Sequence, residues 1–175
     1  MCIHTKKIMR KIVAFIHAMS DTIDHWMRYV VFALFCALII ITTAQVVCRE
    51  FFTALSWSEE ATRYLLVWST FFTATLAYKR GKHIAITFAV DRFSHKIKKV
   101  IIILGYLFST VFFLTVIYFS IQMINLQAFQ LSPALWLPMK NVYIAIPISF
   151  GVMVLHAVSS IFDEADQLSG KVGSK

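Results

Sequence analysis

The sequence predicts an all-α integral membrane protein with four transmembrane helices, amphipathic interfacial helices beside them, and both termini in the cytoplasm. Three observations lead there. Four long stretches are free or nearly free of charge. Only 15% of the 175 residues are charged while 59% are hydrophobic, with mean hydropathy +0.72, too little charged surface for a soluble domain of this size. And the 17 Lys and Arg residues, against 9 Asp and Glu, gather on alternate loops.

A crossing helix needs about 20 apolar residues, since ~30 Å of hydrocarbon is covered at 1.5 Å per residue. Residues 1–25 come first: Ile8, Ile12, Phe15, Met19 and Ile23 repeat at three and four, the pattern of a helix with one apolar face. Such a helix lies in the interface plane or packs on a partner subunit, and both readings are open. The first span is 26–48, uncharged from Tyr29 to Cys48. Thr42-Thr43-Ala44 loosely resembles a signal cleavage site, but the charged region before it and the apolar run are both too long, so an uncleaved signal-anchor is expected.

The second span, 57–78, is uncharged only from Tyr64 to Tyr78 and reaches full length by placing Glu59, Glu60 and Arg63 at a membrane edge. The loop 79–99 is basic and holds a second amphipathic candidate near Ile84 to Val100. The third span is 100–123. The cluster Gln122, Asn125, Gln127 and Gln130, followed by Pro133 and Pro138, makes 124–140 an interfacial loop and argues against dividing 100–139 into two tight spans. The fourth span is 141–162, with Pro147 at its start or bending it. A short frayed tail, 163–175, follows.

Charge sets the orientation. Fourteen basic residues fall in the N-terminal segment, the 79–99 loop and the tail, against three (Arg49, Arg63, Lys140) in the other loops. The positive-inside rule therefore puts the 79–99 loop and both ends in the cytoplasm and 124–140 on the periplasmic side. Anionic phospholipid of the inner leaflet accounts for the basic excess, at about 1 kcal/mol per nearby cation, and nucleic acid is not an expected partner.

The search for chemistry returns little. Cys36 and Cys48 are twelve residues apart on one helix, roughly 18 Å by helical rise, too far to bridge. Of six histidines only His156 lies in a span, and a bis-histidine haem needs two facing ligands. No metal, cofactor or catalytic residue is expected. Charged residues at mid-membrane usually mark an ion path; the span centres have none, which argues against transport by this chain alone.

One polar cluster stands out, Ser56-Trp57-Ser58-Glu59-Glu60-Ala61-Thr62-Arg63. Ser56 and Glu59 fit a capping box, and Glu59 or Glu60 can pair with Arg63 at i,i+4 or i,i+3. Capping needs one glutamate; the second, with Trp57 and Arg63, also fits contact with a neighbouring subunit. Gly105 with Ser109 and Ala145 with Ser149 are small pairs suited to close helix approach.

The order Trp57-Ser-Glu59-Glu60-Ala-Thr-Arg63-Tyr-Leu-Leu-Val-Trp68, then Lys82-His83-Ile84, then Tyr143-Ile-Ala-Ile-Pro147 resembles the small membrane subunit of tripartite ATP-independent periplasmic (TRAP) transporters, the DctQ-like family. Its overall look leans to the sialic acid branch. Ser69-Thr-Phe-Phe-Thr73 replaces a glycine found in many members. The resemblance implies a bacterial inner-membrane scaffold subunit that binds a large multi-helix subunit carrying sodium and an organic acid, sialic acid or a C4-dicarboxylate. A periplasmic substrate-binding protein would deliver the acid. It marks Trp57, Glu59, Glu60, Arg63, Trp68, His83 and Pro147 as contact or structural residues. Two other classes remain: the membrane anchor of a respiratory oxidoreductase, disfavoured by the missing haem ligands, and a small membrane enzyme, disfavoured by the absence of a nucleophile beside a base.

Overall fold

The computed structural model describes the backbone of residues 2–53, 55–81 and 95–172, with side chains for 16–53, 55–81, 97 and 100–162. It holds five helices among those residues: α1 Cys2–Phe51, α2 Ser56–Gly81, α3 His95–Leu126, α4 Met139–Tyr143 and α5 Ala145–Val172. Three stretches are long and apolar enough to cross a membrane: Ile16–Phe51, Val100–Leu126 and Met139–Phe162. The amphipathic candidate around Ile84 to Val100 and the motif residue His83 lie mostly or wholly outside the described residues.

α1 runs without a break at residue 25. Residues 20–28 contain neither Gly nor Pro, so nothing interrupts the hydrogen-bond ladder. Fifty residues make a rod of about 75 Å.

α5 is the hub, packing against α1, α2, α3 and α4, while α2 also lies along α1. Of the three apolar stretches, the one carried by α4 and α5 is 39% buried, against 6% on α1 and 11% on α3. Phe72 and Leu76 of α2 meet Met27 and Val31 of α1 in the apolar core, with Trp68 and Val152 packed beside them. Rings from three helices then close the other seam: Tyr78 stands edge-on to Phe113 at 5.1 Å, and Phe113 meets Phe150 at 5.6 Å.

Small residues sit where α5 is tightest, with Ala145, Ser149 and Ala157 fully buried. Gly105 instead faces open space, so the Gly105–Ser109 pair does not form a close seam. Ser69 is 1% exposed and bonds the carbonyl of Leu65. Thr42, Thr70, Thr110, Thr115 and Ser120 likewise donate to the carbonyl four residues back. A helix in lipid has no water for a hydroxyl, and this internal bond satisfies it.

α4 and α5 are one helix interrupted at Ile144, which itself keeps helical angles, φ −63° and ψ −22°. Pro147 has no N–H to offer the carbonyl of Tyr143, so one rung of the ladder is missing. The proline therefore lies near a helix start and also marks the interruption.

Candidate functional site: the Glu60 knot

Between α3 and α4 the chain makes a tight turn. Ser132 N–H donates to the Leu137 carbonyl (2.9 Å), Trp136 N–H to Ser132 (3.1 Å) and Met139 N–H to Gln130 (2.9 Å), while Leu131 and Pro138 form a bridge. Closing so short a turn places Trp136 in the left-handed region at φ 54°, where a bulky side chain is strained. Its indole is 73% exposed.

The turn leaves the N–H groups of Ala134 and Leu135 pointing the same way, and Glu60 fills that position. Its Oε2 accepts both, at 2.9 and 3.0 Å, and its Oε1 accepts the Tyr64 hydroxyl. The buried Ser132 hydroxyl stands in the same group and receives the Leu135 N–H at 3.3 Å. Successive backbone N–H groups turned to one point form an anion-binding concavity; here the anion is a side chain of the same protein. Glu60 is itself buried, and an ionised carboxylate offers acceptor positions for all these donors.

Glu59 lives differently. Its carboxylate is exposed and meets Arg63 at 3.6 Å, both side chains about two-thirds or more exposed. The local side-chain bond at the start of α2 comes from Ser58, whose hydroxyl donates to Leu55 at 2.7 Å. Trp57 is half-exposed. Trp68 sits about three turns further along and donates its indole N–H to the Val142 carbonyl at 3.1 Å, tying α2 to α4 close to Pro147. Trp57, Glu59, Glu60 and Arg63 therefore gather at one end of α2, with Trp68 and Pro147 further into the bundle. A cleft of about 340 Å³ opens between α2 and the turn, lined by Ser56, Glu59, Arg63, Gln130, Pro133 and Met139 among others. It offers charge and hydrogen-bonding groups to whatever docks there.

A second polar group, at the other end of the bundle, was not singled out from the sequence. Ser20 shares a hydrogen with His156 Nδ1 at 2.7 Å, and His17 Nδ1 with Ser159 at 2.9 Å. The two bonds are reciprocal, because each helix carries the same short segment: His17-Ala-Met-Ser20 on α1 and His156-Ala-Val-Ser159 on α5. Residues i and i+3 share a helix face, so antiparallel crossing sets each His against the other helix's Ser. That paired spacing was the available signal. Lys79 of α2 joins them, its ammonium donating to the Ser20 carbonyl (2.9 Å) and to Asp21 (2.8 Å).

Comparison with known proteins agrees with this all-helical, charge-poor architecture. Residues 38–167, about three-quarters of the chain, match the family of tripartite ATP-independent periplasmic transporters, DctQ component. The isethionate TRAP transporter permease protein DctMQ of Oleidesulfovibrio alaskensis is 30% identical over 135 residues, covering 71% of this chain. The chain spans only about a fifth (21%) of that relative's length. The family is a transporter component rather than an enzyme, and its apolar helices make it an integral protein of the inner membrane. The chain belongs to the DctQ component family of the TRAP transporters.

Proposed function

We propose that this chain is the static small subunit of a sodium-coupled TRAP transporter, enlarging the bilayer scaffold against which a large multi-helix subunit moves an organic acid. A periplasmic binding protein delivers the acid. The observation that carries the reading is family membership over residues 38–167, joined to the absence of Asp, Glu, Lys or Arg from the middle of the apolar stretches. A subunit with no charged residue at mid-membrane has no ion path of its own. The cargo class is an organic anion such as sialic acid or a C4-dicarboxylate, a class that also takes in the isethionate named for the relative. A respiratory anchor has no such support.

In this reading α2 is a fourth span. It is about 39 Å long by helical rise and lies along α1 and α5, both of which carry candidate spans. Glu59, Glu60 and Arg63 keep its hydropathy below theirs. The charge split then sets the 79–99 loop, the termini and the His–Ser end in the cytoplasm and the Glu60 knot on the periplasmic side. Residues 1–25 meet phospholipid headgroups, and the exposed Glu59–Arg63 pair contacts a partner.

Reconstitution tests the function. Liposomes holding this chain alone should take up no organic acid. With the large subunit and the binding protein added, uptake should follow the sodium gradient. Sodium-driven uptake by the isolated chain would overturn the scaffold role.

A further inference from the structure

The outward surface of the bundle is of two kinds. On α1 and α3 it is built of large apolar side chains, among them Phe32 (70% exposed), Ile40, Leu104, Phe108 (77%), Val111 and Phe119. On α2, past a first turn that exposes Ser56, Trp57 and Glu59, the exposed residues are Arg63, Leu66, Thr70, Ala77 and Arg80, in line with Glu59. Their spacing of three, four and seven puts them on one stripe, and Leu66 is its one large apolar member. From Glu59 to Arg80 the stripe runs about 32 Å, the depth of the hydrocarbon layer.

Lipid tails fit the first kind of surface and gain little from the second. Association of helices in lipid depends on close packing and polar contact. A stripe of Thr and Ala between charged ends supplies both, since small side chains let another backbone approach. The Thr70 hydroxyl is already satisfied by Leu66 at 2.8 Å, so the stripe asks for shape rather than for a donor. We propose that a helix of the large multi-helix subunit packs along this α2 stripe, while the outward faces of α1 and α3 meet lipid. The inference rests on the small-subunit reading.

Two further facts choose the occupant. The related permease protein extends about four-fifths of its length beyond the part this chain matches, so a much larger polypeptide accompanies this segment there. And a second copy fits badly: a two-fold dimer about the membrane normal would set Arg80 near Arg80, an uncompensated like-charge pair, whereas Arg63 at the other end already meets Glu59. A partner helix with an acidic group at the Arg80 end removes the conflict.

The test is co-purification and cross-linking of the full-length chain, expressed with the large subunit in native membranes. Thr70→Trp and Ala77→Trp should each lower the yield of co-purified large subunit about tenfold, equivalent to ~1.4 kcal/mol, while Phe108→Trp on α3 should leave it unchanged. Single cysteines at the same places, in a chain with all three native cysteines, Cys2, Cys36 and Cys48, replaced by Ala, remove the concern that a bulky residue misfolds α2. Thr70→Cys and Ala77→Cys should cross-link to the large subunit, and Phe108→Cys should not. Cross-links to a second copy, or to the large subunit from position 108 alone, would overturn the stripe as the interface, as would unchanged yields in both tryptophan variants. If the wild-type chain retains no large subunit, the small-subunit reading itself fails, and the inference with it.

Discussion

Glu59 and Glu60 adjoin in sequence and differ in almost every other respect. Glu59 meets Arg63 in the open at 3.6 Å, an arrangement worth about 0.2–0.5 kcal/mol. Glu60 is buried under two backbone N–H groups and a phenol. Glu60→Ala removes the oxygen that accepts both backbone N–H groups, so hydrogen exchange at Ala134 and Leu135 should rise roughly tenfold. Glu59→Gln should leave it unchanged, and exchange by mass spectrometry on the two variants decides. Trp136 at φ 54° gives a complementary prediction. Trp136→Gly should raise detergent-state stability by about 1 kcal/mol, while Trp136→Val, β-branched at the same angles, should lower it; thermal unfolding reads both. The 56–63 cluster was legible in the sequence as a site because one glutamate more was present than capping needs. Which glutamate would be buried was not, because its partners lie 74 and 75 residues away, beyond any spacing within a helix.

At the scale of the element, lipid makes the crossing segments readable, since every backbone group must bond within its own helix and outward side chains must be apolar or bonded back to the helix. Three stretches have the length and hydropathy this requires. α2 meets it poorly because its faces are shared: Phe72 and Leu76 turn to the core and Thr70 and Ala77 outward, so its mean hydropathy falls below theirs. Residues 1–25 carried an amphipathic period, but the period says nothing about where a helix stops, and α1 runs on. The clamp between α1 and α5 makes the energetic test. Ser20 is 1% exposed and His156 fully buried, so Ser20→Ala removes a buried partner and should destabilise by about 1–3 kcal/mol. Ser159→Ala cuts the reciprocal bond, which is only part-buried, and should cost less. Thermal unfolding of both variants in one detergent gives the order.

Across the whole molecule, the 14-to-3 division of basic residues predicts that single cysteines introduced at Val90 and Gln130 label from opposite faces of the membrane, with position 90 reached from the cytoplasm. Labelling of both from one side would remove the four-span arrangement. The bond between Glu60 and the turn also imposes an order of events on synthesis. When α2 leaves the ribosome, the chain that will receive its carboxylate does not yet exist; 74 residues at roughly 5–20 per second take on the order of 4–15 s. In the four-span arrangement proposed above, α2, the least apolar of the long helices, carries an unseated acid at the edge of the bilayer through that interval, and its commitment to the membrane comes late, when Ala134 and Leu135 reach their place. A chain ended after Leu126 keeps α1, α2 and α3 yet never supplies that seat, and its α2 should be clipped by membrane proteases while α2 of the full-length chain survives.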